Sequence, residues 1–142
     1  MKRILINLIT FLNLILLGCS SVSLDEDSKN LINNFYINLK NQNPQHNLQY
    51  FSNEYNKVTS PEQTMKLFDL LNKNAGDVLE WQMKDYFVTN SIGTTSGKRI
   101  SIKYEVKRTK GMAEDSFNIF KEGGSSSYKI DGYHSELKLP LE

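Results

Sequence analysis

Three side chains in this sequence could move protons if the fold brings them together: Asp85, Tyr104 and His134. A carboxylate stripped of water becomes a stronger base, and a phenol or imidazole within hydrogen-bond reach can take up or return the proton. Strand parity suggests the grouping. Leu79, Trp81 and Met83 alternate with Glu80, Gln82 and Lys84, so a strand that turns the first set inward also turns Asp85 inward, barring a bulge. Tyr104 shares the parity of Ile100, Ile102 and Val106, and His134 that of Tyr128 and Ile130, although a bulge at Gly132 would reverse it. With Trp81 and Tyr128 as walls, these five residues form a candidate pocket lining. The competing reading makes the aromatics core, ends a strand at Asp85 and leaves His134 in solvent. His46 lies in a polar stretch far from His134, so neither a metal centre nor a cofactor is expected.

The remaining reactive group is a thiol. Cys19 is the single cysteine, so the rest of the chain has no disulfide, thiol nucleophile or cysteine-based metal site. It follows a basic head (Met1, Lys2, Arg3) and an apolar run over residues 4–17. As a helix that run is about 21 Å long, short of the ~30 Å hydrocarbon core, which is the pattern of an export signal. Leu16-Leu17-Gly18-Cys19 resembles the lipobox of bacterial lipoproteins, with Leu17 less usual than a small residue before the glycine. The resemblance implies cleavage before Cys19, a diacylglyceryl group on its sulfur and acylation of the new N-terminus, palmitate being a typical chain. Ser20 and Ser21 follow with no Asp directly after the cysteine, which by resemblance favours the outer membrane, on its periplasmic or surface side. An ordinary secretory signal with an accidental cysteine is the alternative.

Four segments follow: 1–18 a lipoprotein signal peptide, 19–27 a lipidated tether, 28–136 one domain and 137–142 a tail. Loss of Lys2 and Arg3 with the signal takes the 17 basic residues to 15, against 16 acidic ones. That near-neutral balance argues against a nucleic-acid partner. The row Arg99, Lys103 and Lys107, with Lys98, Arg108 and Lys110 at its ends, reads as a solvated sheet face. Contact with acidic headgroups is the functional alternative, and Glu105 interrupts it.

The positioning elements read as helices, then strands. Asp25-Glu26-Asp27 suits a helix start, and Leu31, Ile32, Phe35, Tyr36 and Leu39 mark one helical face that should fail near Asn43-Pro44. Leu48, Tyr50, Phe51 and Tyr55 predict a short irregular or single-turn segment. Ser60-Pro61-Glu62-Gln63 is a capping box with proline at the first helical position, and Ala75-Gly76 supplies the stop. The period then changes to two. Turns at Thr94–Gly97, Lys110-Gly111 and Gly123-Gly124-Ser125 separate four strands of an antiparallel meander. The expected fold class is α+β, with N-terminal helices packed on one face of a curved four-stranded sheet.

Tyr128-Lys129-Ile130-Asp131-Gly132-Tyr133, placed last in that order of elements, resembles the closing strand of nuclear-transport-factor-like (cystatin-like cone) domains. The resemblance covers residues 28–136 and implies a curved sheet around the helices with a conical cavity. Such domains include isomerases, dehydratases and many non-catalytic proteins, so fold alone assigns no activity. The isomerases use an Asp base and a Tyr donor, but their positions do not match this chain residue by residue and no catalytic role is carried over. The expected function is that of a lipid-anchored cell-envelope domain, non-catalytic, binding an envelope protein or a small apolar ligand. The alternatives are an inhibitor or immunity-type lipoprotein and a cavity enzyme of isomerase or hydrolase type.

Overall fold

The structure, a computed structural model, describes residues 23–92 and 96–138. The signal segment, Cys19 and the Thr94-Thr95 half of the Thr94–Gly97 turn lie outside the described residues.

Helix α1 spans Glu26–Lys40 and starts where Asp25 accepts a hydrogen bond from the Ser28 amide at 3.1 Å. Glu26 and Asp27 follow in its first turn, where negative charge meets the positive end of the helix dipole. Its buried face carries Leu31, Ile32, Phe35 and Tyr36. The helix gives way to a 3-10 helix over Pro44–Tyr50 and the short α2 over Asn53–Val58, where the sequence predicts a short irregular or single-turn segment. Helix α3 spans Pro61–Ala75 with both halves of the capping box made: the Gln63 amide donates to Ser60 Oγ at 3.3 Å, and the Ser60 amide to Gln63 Oε1 at 2.8 Å.

Four strands follow, β1 (Val78–Ser91), β2 (Gly97–Arg108), β3 (Gly111–Glu122) and β4 (Lys129–Lys138), paired antiparallel in chain order. This is an α+β fold with helices first, as the change of period predicts. On the inner face Ile100, Ile102, Tyr104 and Val106 of β2 meet Ala113, Phe117 and Ile119 of β3, all buried. Phe35 stands at the centre of that core. Its ring lies 5.1 Å from Phe117, 5.3 Å from Tyr133 and 5.7 Å from Phe68, mostly edge to face, the arrangement favoured by aromatic quadrupoles.

The folded body is longer at both ends than the 28–136 span. Leu24 is buried and Asp25 is the cap of α1, so part of the expected tether belongs to the domain. At the other end β4 runs through Leu137, which packs against the core.

Candidate functional site

Two bulges decide which of the candidate residues meet. In β1, Met83 pairs with Tyr104 but Asp85 pairs with Lys103, leaving Lys84 as the extra residue. The inward parity of Trp81 and Met83 therefore passes to Tyr86 and Val88, opposite Ile102 and Ile100, and Asp85 emerges on the outer face. Asp85 is exposed there, and Oδ1 accepts from the Tyr86 amide at 2.8 Å. In β4, Asn118 pairs with Gly132 and Ile119 with Ile130, so Asp131 is extra. That bulge turns Tyr133 and Ser135 inward and puts His134 outside, exposed and opposite Ser116. The expectation that Asp85 and His134 line a common pocket is thus corrected. Each lies beyond a one-residue insertion that flips every later side chain.

The other three candidates are inside, Tyr104 and Trp81 against the same Tyr36 ring and Tyr128 apart from them. Tyr104 is buried, 5.4 Å from Tyr36 and 6.2 Å from Phe117 between ring centroids, and burial raises its pKa. Trp81 is half-buried and stacks on Tyr36 at 5.2 Å. Tyr128 belongs elsewhere: its hydroxyl donates to Asp25 Oδ2 at 2.7 Å, where Lys98 Nζ also donates at 2.9 Å. Burial works against the charge of Asp25. The Lys98, Tyr128 and Ser28 hydrogen bonds outweigh it and hold the carboxyl well below its usual range.

A carboxylate that the parity argument had not used occupies the interior instead. Asp115 is fully buried on β3. Ser135 donates to its Oδ1 at 2.6 Å, while Tyr36 and Tyr133 donate to its Oδ2 at 3.0 and 3.1 Å. Burial raises the Asp115 pKa, opposed by the Ser135 hydrogen bond, the Arg108 charge and the two phenols. Both phenols are themselves pushed well above their ordinary values, by burial first and then by the nearby carboxylate. Ala113, Phe117 and Ile119 share the parity of Asp115, so its inward placement was available from alternation alone.

Arg108 is the second residue that alternation could have found. It continues the run Ile102, Tyr104, Val106 on β2 and is only 5% exposed, whereas the outward row of Arg99, Lys103 and Lys107 pairs with Asp131, Glu114 and Glu80. The α3-to-β1 connection holds it. Gly76 adopts φ +79°, and a Cβ there would stand 1.9 Å from Thr109 Oγ1. That close approach lets the Asp77 amide donate to Thr109 Oγ1 at 3.1 Å and the Lys110 amide to the Ala75 carbonyl at 2.9 Å. The Gly76 carbonyl is left facing Arg108 and accepts from Nη1 at 3.0 Å. Arg108 Nε is buried without a hydrogen-bond partner among the described residues.

Arg108 lines a cleft of about 200 Å³ between the end of α1, the 3-10 helix and α3, with Leu39, Phe68 and Val78 as apolar wall and Gln42, Asp69 and Asn72 as polar wall. A broader groove of about 850 Å³ between α2 and the turn end of the sheet mixes Glu54, Glu122 and Asp131 with Arg99 and Lys129. Neither is lined by Asp115, Tyr36 or Tyr133. Among the described residues no cluster of His, Cys, Asp and Glu could hold a metal ion, and no helix is long and apolar enough to cross a membrane.

Comparison with known proteins finds no matching family model and no matching curated relative.

Proposed function

We propose that this chain is a lipid-anchored domain of the bacterial cell envelope that works by binding a protein or small ligand, not by turning over a substrate. One observation carries the second half of that reading. The buried carboxylate, Asp115, has both oxygens engaged by three hydroxyls of the same chain, and no cleft described here reaches it. A general base needs substrate within hydrogen-bond reach. Asp85 and His134, the other candidates, stand apart on the outer face.

The lipobox-like Leu16-Leu17-Gly18-Cys19 supports the anchor. Because Leu24 is buried, only five residue steps bridge from Cys19 to the domain, at most about 18 Å of fully extended chain. A body held that close works at the membrane surface. The finer fold assignment, a nuclear-transport-factor-like cone, belongs to the same proposal and draws support from helices followed by a bulged antiparallel sheet. In that reading the rings of Phe35, Phe117 and Tyr133 fill the cone.

Mass spectrometry of the protein isolated from membranes tests the anchor. A chain beginning at Cys19 and carrying diacylglyceryl and acyl chains is expected, and Cys19→Ala should leave the membrane fraction. An unmodified cysteine or a retained residue 1–18 segment would overturn it.

A second reading, an inhibitor-type lipoprotein that blocks an enzyme, is favoured by the outer half of β1. Phe87 is 69% exposed on the edge strand and Ile92, just past its end, 99%, and bare apolar groups at an open edge suit a protein partner. A photo-crosslinker at position 87 in intact cells should then give one discrete adduct. Absence of any adduct counts against this reading.

A further inference from the structure

We propose that the cleft at Arg108 is a binding site for a small monocarboxylate. The inference rests on the reading of the domain as a binding module and is independent of the lipid anchor.

Arg108 is 5% exposed; among the described residues its Nε has no partner and its guanidinium's one hydrogen bond goes to a neutral acceptor, the Gly76 carbonyl. Among the described residues no carboxylate lies within ion-pair distance of it. Asp115 acts on it through space only, since the three hydroxyls already occupy the Asp115 oxygens. A guanidinium taken out of water without an anion is a costly arrangement, and its rigid planar fork matches a carboxylate better than any other common group. The cleft supplies room for one. Its volume of about 200 Å³ equals that of roughly seven waters at ~30 Å³ each.

The walls narrow the class. Leu39, Phe68 and Val78 offer apolar surface to a short hydrocarbon tail. Asp69, exposed on the same wall, repels a second negative charge, which disfavours dicarboxylates and phosphate.

Titration of the full chain in detergent with sodium butyrate, followed by NMR chemical shifts, tests the site. Saturable binding is expected, with butyramide and inorganic phosphate giving none. Arg108→Met should weaken butyrate roughly ten- to hundredfold, the worth of a charge-assisted hydrogen bond. Asp69→Asn changes only an exposed helix side chain and keeps the test open if the Arg108 variant does not fold. It should tighten butyrate roughly two- to threefold and admit phosphate. No saturable butyrate binding, equal binding of butyramide, or unchanged affinity in a folded Arg108→Met protein would each overturn the proposal. Failure here with an acylated Cys19 removes the site and leaves the anchored domain standing; an unmodified Cys19 with intact butyrate binding does the reverse.

Discussion

The hydroxyl of Tyr36, on the first helix, donates to the carboxylate of Asp115, on the third strand, at 3.0 Å across 79 positions of sequence. Tyr133 and Ser135 of the last strand complete the cluster, so one acidic group ties the first helix to the final two strands. Asp115→Ala leaves three hydroxyls without their acceptor, that of Tyr36 in a fully buried side chain and those of Tyr133 and Ser135 in half-buried ones. Each such loss costs about 1–3 kcal/mol, so a destabilisation of about 3 kcal/mol or more is expected in urea unfolding at neutral pH. Tyr36→Phe removes one donor and should cost about 1 kcal/mol. Equal losses for the two variants would show that the cluster does not act as a unit around the carboxylate.

Asp25 makes stability depend on acidity. Its folded pKa is depressed below the ordinary 3.8, so the ionised form is the one the native state favours. The contribution is therefore complete above that ordinary value and disappears as pH falls through the lower, folded one. Asp25→Ala also removes the α1 cap, and the side chain is 37% exposed, so solvent screening limits the ionic share. A loss of about 1–2 kcal/mol at pH 7 is expected. The gap between variant and wild type should shrink in melts recorded progressively below pH 4. A gap that widens in acid would contradict the assigned sign.

Gly76→Ala should be among the most damaging single-methyl additions in the chain. The backbone there holds φ +79°, and the new carbon would overlap Thr109 Oγ1. Strain of this kind costs about 1–3 kcal/mol before any displacement of Thr109 and Arg108. Thermal unfolding of Gly76→Ala beside Gly124→Ala checks it, because Gly124 shares the positive φ but has open space around its Cβ.

Asp85→Ala and His134→Ala should be nearly silent. Both are exposed on the outer sheet face, where substitutions stay within about 0.5 kcal/mol. Unfolding midpoints within error of wild type are expected. A larger loss in either would mean that the bulge register differs from the one described.

Much of the framework was legible because it depends on local chemistry. Ser60, Pro61 and Gln63 carry the start of α3 in their own side chains, and both reciprocal hydrogen bonds form. The alternation of Ile100, Ile102, Tyr104 and Val106 reports β2 directly. The candidate pocket was not legible, because two insertions of one residue, Lys84 and Asp131, decide which face everything beyond them occupies. Gly132 hinted at the second, while nothing in Met83-Lys84-Asp85 marks the first. Arg108 and Asp115 were missed for another reason. Their charge suggests solvent, and only the parity of their apolar neighbours places them inside.

The clasp of Asp25 by Lys98 and Tyr128 also bears on how the proposed anchor would turn the domain. It pins the start of the folded body to the beginning of β2, whereas Arg108 ends that strand. Ten residues separate Lys98 from Arg108, about 33 Å of extended backbone at ~3.3 Å per residue. Were the chain moored at Cys19 as proposed, the cleft at Arg108 would lie at the end of β2 away from the anchor.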